Sequence, residues 1–223
     1  MRRAVYPALA LSAALLTGVP VLAAAPSPTA LRVTVEGLAE NDAAIPAKFA
    51  LCKATDDGKS TGGENTRPTI SWQGAPSGTK SFAVVVMDPD VPASFADAGK
   101  DGKVVKHDAK RQLFYHWALA DIPATVTTIP GGASSKAPAF GTAATGSLEK
   151  YLDDATQYGG PCPPWNDERL HHYHFTVYAL DVAALTLPDA PSAKDVEKAV
   201  ADHVVASGTV TGTYTLNTAL RAQ

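Results

Sequence analysis

The sequence lacks a basic excess: 19 Lys and Arg stand against 22 Asp and Glu, a formal net charge of -3 over 223 residues. A nucleic-acid partner would need clustered positive charge, so that class is excluded. Cysteine is nearly absent, with only Cys52 and Cys162. Two cysteines cannot build a disulfide scaffold or a four-cysteine zinc site. Charged residues amount to only 18% against 45% hydrophobic, which excludes a disordered chain. Beyond the N-terminus no apolar run is long enough to cross a bilayer, so stable membrane insertion is not expected. What is plentiful is punctuation: 17 Gly and 17 Pro favour a turn-rich fold over a helix bundle. No internal repeat or second-domain boundary is visible.

Met1–Ala25 reads as a secretory signal peptide. Arg2 and Arg3 form a basic start, Ala8–Val21 an apolar stretch, and Ala23, Ala24 and Ala25 a small-residue cleavage region. The apolar segment falls short of the roughly 20 residues of a membrane span, and Gly18 and Pro20 interrupt its end. No cysteine follows Ala25, which excludes a lipoprotein anchor at this junction. Residues 26–30 are expected to form a flexible tether, and 31–223 the folded domain, in the periplasm or outside the cell. There Cys52 and Cys162 either pair or remain buried thiols; their spacing does not decide.

Leu31–Val35, Thr69–Trp72, Ser81–Met87, Phe114–Leu119, His172–Leu180 and Gly208–Leu216 read as strands, from alternation or from short apolar runs between Gly and Pro. The expected fold is mainly β, a sandwich. Ser192–Ala206 is the clear helix, with Ser192 as cap and Asp195 at capping-box spacing; Ser147–Asp154 is a short second candidate. Ala93–Arg111 is a long polar loop whose charges form a solvated face; a functional lid is the alternative.

Three segments carry candidate chemistry. Asp88-Pro89-Asp90-Val91-Pro92 places two carboxylates at alternate positions after a buried strand, and these should face one side. His116-Trp117 lies within an apolar strand, where alternation should put the two side chains on opposite faces. Gly159-Gly160-Pro161-Cys162-Pro163-Pro164 is a stiff turn leading toward His171-His172-Tyr173-His174. On a regular strand His171 and Tyr173 share one face, and His172 and His174 the other. The latter pair invites a metal reading, but no cysteine pair or helical Glu accompanies it, so neither metal nor other cofactor is expected. No Gly-x-Ser-x-Gly elbow and no Gly-Lys-Ser/Thr loop end occurs.

In combination these segments resemble the phosphatidylethanolamine-binding protein family, in its bacterial Raf-kinase-inhibitor-like branch. The matching stretches are Arg67–Trp72, Phe82–Pro92, His116-Trp117 with Asp121-Ile122-Pro123, Tyr158–Pro164, His171–Asp181 and Gly212-Thr213-Tyr214, in family order. The resemblance implies an antiparallel Greek-key β-sandwich with a few peripheral helices. It also implies a small anion pocket built from Asp88, Asp90, His116, Gly160, Pro161, His171 and Tyr173. One departure stands out: the family commonly has Arg between the pocket His and Tyr, where this chain has His172.

The expected function is a binding protein that captures a phosphate-type anion, phosphoethanolamine or a phospholipid head group without turnover. His116 and His171 would donate N–H bonds and Tyr173 its O–H. Two aspartates beside an anion favour a zwitterion over a small dianion. The alternatives are a phosphoester hydrolase using the Asp/His cluster and a protease or kinase inhibitor. A homodimer is compatible with the sequence but not required by it.

Overall fold

The apolar run that begins at Ser81 becomes the centre of the molecule. The computed structural model describes Met1 and residues 29–134 and 138–221. Apart from Met1, the expected signal peptide lies outside the described residues, as do residues 26–28. In chain order the strands are β1 (Thr29–Ala30), β2 (Arg32–Val35), β3 (Ala43–Ala44), β4 (Cys52–Ala54), β5 (Ser60–Gly62), β6 (Thr66–Arg67), β7 (Ile70–Gln73), β8 (Ser81–Pro92), β9 (Arg111–Pro123), β10 (Thr128–Ile129), β11 (Gly132–Ala133), β12 (Thr142–Ala144), β13 (His171–Leu180) and β14 (Val204–Tyr214).

The principal sheet runs β1-β14-β13-β8-β9-β12, with β3 also on β14; a second sheet runs β10-β7-β2. Within the principal sheet β13-β8-β9-β12 has the spatial order fourth, first, second, third, all antiparallel. That is the Greek-key arrangement. The sheet is not wholly antiparallel, because β1 and β3 join β14 as parallel edge strands. Thr29 and Ala30, expected in the tether, are therefore held against Ala206 and Ser207.

β8 is buried on both faces, as a strand without alternation must be. Phe82, Val84 and Val86 enter the sandwich core with Ile70, Trp72, Trp117 and Phe175. Ala83 and Val85 face the other way, against Ala193, Val196 and Val200 of helix α1 (Ala193–Val200). The Ser192/Asp195 capping box is formed. The helix stops at Val200, short of the expected Ala206, because Val204 onward is recruited into β14 beside β13. The candidate helix at Ser147–Asp154 is reduced to a single 3-10 turn over Glu149–Tyr151.

Candidate functional site

Three long strands bring their polar ends to one end of the principal sheet: β8 through Asp88, β9 through His116, β13 through His171 and Tyr173. A cavity of about 910 Å³ opens there. Its outer walls include Phe95, Phe114, Leu148, Tyr151 and Trp165, and its floor holds Asp88, His116, His171 and Tyr173. All four floor residues are buried, whereas Phe95 and Tyr151 are exposed at the rim.

His116 reaches this floor through a β-bulge. Val86 pairs with Trp117 and Met87 with Tyr115, which leaves His116 as the extra residue on β9. The expectation that His116 and Trp117 lie on opposite faces is therefore corrected. Tyr115 and Ala118 pack toward α1, Trp117 enters the sandwich core, and His116 meets Tyr173 of that same core at 5.1 Å between ring centroids. His116 Nδ1 donates to Gly159 O at 2.8 Å, and Gly159 N–H returns a bond to His116 O at 3.1 Å. Its Nε2 is buried and without a partner, as is the Tyr173 hydroxyl. Burial pushes the His116 pKa below its ordinary value, against the opposing pull of Asp88 and Gly159.

His171 stands between two carboxylates. Nδ1 lies 2.7 Å from Asp88 Oδ2 and Nε2 3.2 Å from Asp167 Oδ2. Carboxylates only accept, so both ring nitrogens carry protons and the ring is a cation. Burial works against the charge, but Asp167 and Asp88 outweigh it and raise the pKa to about 9. Asp167 is in turn gripped by Arg111 through bonds of 2.6 and 3.0 Å. The buried charges Asp88, His171, Asp167 and Arg111 thus cancel. Both N–H groups of His171 are engaged, which corrects its expected role as a donor to the ligand.

Asp90 does not accompany Asp88. A second register shift, between Asp88 and Val91, breaks the alternation. Asp90 bonds the His172 backbone N–H at 3.0 Å, His172 Nδ1 at 2.7 Å and Arg169 Nη1 at 3.2 Å. Burial alone would raise its pKa, but these partners hold it below the usual carboxylate value. Arg169 thereby sets a guanidinium against Asp90, beside His172. His172 points away from the floor, as alternation requires, and His174 bonds Thr211 Oγ1 at 2.9 Å. Among the described residues no group of three or more His, Cys, Asp or Glu is arranged to hold a metal ion.

Gly160 and Pro161 also lie outside the cavity lining. The Gly160 N–H donates to Asn65 Oδ1 at 2.7 Å, and a Cβ there would sit 2.0 Å from Phe49 O. Glycine is needed for that close approach, not to present an N–H to a ligand. Pro161 O accepts from Cys52 N–H at 3.1 Å. Beside this bond Cys52 and Cys162 form a disulfide that lines the cavity.

The loop after β8 is anchored rather than merely solvated. Asn166 Nδ2 donates to Asp97 O at 2.9 Å and Lys103 O at 3.0 Å, and its Oδ1 accepts from Gly99 N–H at 2.8 Å. Arg111, assigned to that loop from sequence, begins β9 and is buried on Asp167. Asn65, Asp167 and Arg111 escaped the sequence reading, since single polar residues remote from the histidines carry no pattern of their own.

The sequence and the fold are similar to those of known proteins. The sequence profile described as phosphatidylethanolamine-binding protein matches residues 37–215. Escherichia coli YbcL, a UPF0098 protein, is 33% identical over 157 residues, covering 68% of this chain and 73% of its own length. The UPF0098 protein PH1269 of Pyrococcus horikoshii is 30% identical over 192 residues, covering 82% of this chain and 77% of its own. The crystal structure of E. coli YbcL, described as a new member of the mammalian PEBP family, superposes with a TM-score of 0.63 at 27% identity, covering 84% of this chain and 99% of that one. With a profile match over most of the chain and relatives at 30% identity or more over two thirds of it, this protein belongs to the phosphatidylethanolamine-binding protein family.

Proposed function

We propose that this protein binds a small phosphate-bearing molecule in the cavity between β8, β9 and β13, without turnover. The observation that carries the reading is the pair of unpartnered polar groups, His116 Nε2 and Tyr173 Oη, buried on the floor of an otherwise mostly hydrophobic-walled cavity. Buried polar atoms almost always have a partner, and a ligand at this place would provide it. The cancelled charges around Asp88 favour a ligand of low net charge, such as a monoanion or a zwitterionic phosphoethanolamine. His171 supports binding over catalysis, because moving either of its protons would break a buried ion pair.

We propose also that the chain is exported. The basic, apolar and small-residue order at the N-terminus supports this, as does a disulfide, which persists in oxidising compartments. Mass spectrometry of the natural protein should find a chain beginning at Ala24 or Pro26, and an intact Met1–Ala25 would refute export.

The ligand reading is tested by calorimetric titration with phosphate and phosphoethanolamine, alongside incubation with a chromogenic phosphomonoester. Binding without turnover supports it. Turnover that disappears in His116→Ala would replace it with a hydrolase that uses the His116 lone pair as a base. Binding of neither probe would remove the phosphate reading.

A further inference from the structure

The cavity floor is richer in hydrogen-bond acceptors than an anion site should be. Gly159 O can only accept, so His116 Nδ1 carries a proton; burial disfavours a second proton on this ring, which leaves a lone pair on Nε2. Asp88 accepts the Asp90 N–H at Oδ1, 2.7 Å, and His171 at Oδ2, 2.7 Å; each oxygen retains accepting capacity. The cations nearby have no hydrogen to offer: His171 is engaged by Asp88 and Asp167, and Arg111 by Asp167 and by Asp90 O at 2.8 Å. The Tyr173 hydroxyl makes no well-formed hydrogen bond, although Asp88 competes for its hydrogen, and it is the one donor among the floor side chains that a ligand can claim. Ser60, Ser147, Lys150, Tyr151 and the Trp165 indole also bring donors to the cavity, but on its outer walls and rim and not on the floor.

An oxyanion without a hydrogen of its own would meet Tyr173 with one oxygen and set others against the lone pairs of His116 and Asp88. A singly protonated phosphate presents both an oxygen and a P–OH. We propose that the cavity floor selects phosphate groups that carry their own hydrogen, as inorganic phosphate or a monoester monoanion, and rejects sulfate and phosphodiesters. Here Tyr173 donates to a phosphoryl oxygen and the P–OH donates to His116 Nε2 or Asp88. The inference rests on the phosphate reading above and narrows it.

Calorimetry on the full chain near pH 6.5 would compare inorganic phosphate, phosphoethanolamine, sulfate and dimethyl phosphate. An unpaired buried acceptor is costly, so the hydrogen-bearing phosphates should bind at least about tenfold tighter than sulfate or dimethyl phosphate. Whichever of phosphate and phosphoethanolamine binds more tightly identifies the free ion or the ester as the source. Sulfate or dimethyl phosphate within about threefold of phosphate would overturn the selectivity while leaving an anion site standing. No binding of any of the four would overturn the phosphate reading and the selectivity together.

Discussion

His171 and Asp88 face each other across the β13–β8 pair at 2.7 Å, both withdrawn from solvent. Their bond joins the fold to the site, because it ties the two strands together beyond their last paired residues, His174 and Met87, and at the same time fixes the carboxylate on the cavity floor.

The two buried histidines should give the protein a stability maximum in pH. His171 has a folded pKa of about 9 against an ordinary 6.5, so its contribution is complete below 6.5 and is lost as pH rises through 9. That contribution is about 3 kcal/mol by the pKa difference. His116 is depressed instead, so the unfolded chain takes up its proton more readily and stability falls as pH drops below 6.5. Melting temperature should therefore peak near neutral pH. His171→Asn should flatten the alkaline limb, and an unchanged limb would refute the assignment.

Asp167→Asn should destabilise by about 3–5 kcal/mol, since it leaves His171 and Arg111 as buried cations with one carboxylate fewer. Urea unfolding measures this directly. A loss below about 1 kcal/mol would mean that the pair behaves as a surface bridge.

Tyr173→Phe should separate stability from binding. It removes a buried hydroxyl that has no partner, so melting temperature should hold or rise slightly. Phosphate affinity should fall by about tenfold with the loss of that donor. Unaltered affinity in a folded variant would exclude the hydroxyl from the ligand contact.

Cys52 and Cys162 close a loop of 110 residues in sequence separation. Replacing both with Ser should cost about 4 kcal/mol, chiefly by releasing the unfolded chain. Chemical denaturation of the double variant, compared with the oxidised wild type, provides the measurement.

Trp117→Ala should cost about 3–5 kcal/mol as a large cavity in the sandwich core. His116→Ala, one residue away, should act mainly on phosphate affinity. Equal losses of stability in the two variants would contradict the division of labour made by the bulge.

The strands were legible because their side chains obey period two: the β13 run from His171 to Ala179 alternates buried and half-buried residues as the sequence implies. The register shifts between β8 and β9 were not legible, and two of the three shape the site. One extra residue at His116, and another shift after Asp88, come from the pairing of β8 with β9 and leave no mark in composition. They turned His116 into the site and Asp90 out of it. The end of α1 was missed for a related reason, since an apolar Val204 suits a helix stripe and a strand equally. The glycine of the Gly-Pro turn was seen, but its purpose required knowing that Phe49 O lies beside it.

The contacts that close the site link residues far apart along the chain: His116 with Gly159 across 43 positions, Asp88 with His171 across 83, and Asn65 with Gly160 across 95. Loop closure of that length comes late, after local turns have formed, and chains rich in such pairings fold slowly. The cavity therefore cannot exist until these distant segments have met. Ligand capture would serve as a readout of complete maturation, silent for any species in which β13 has not yet docked on β8.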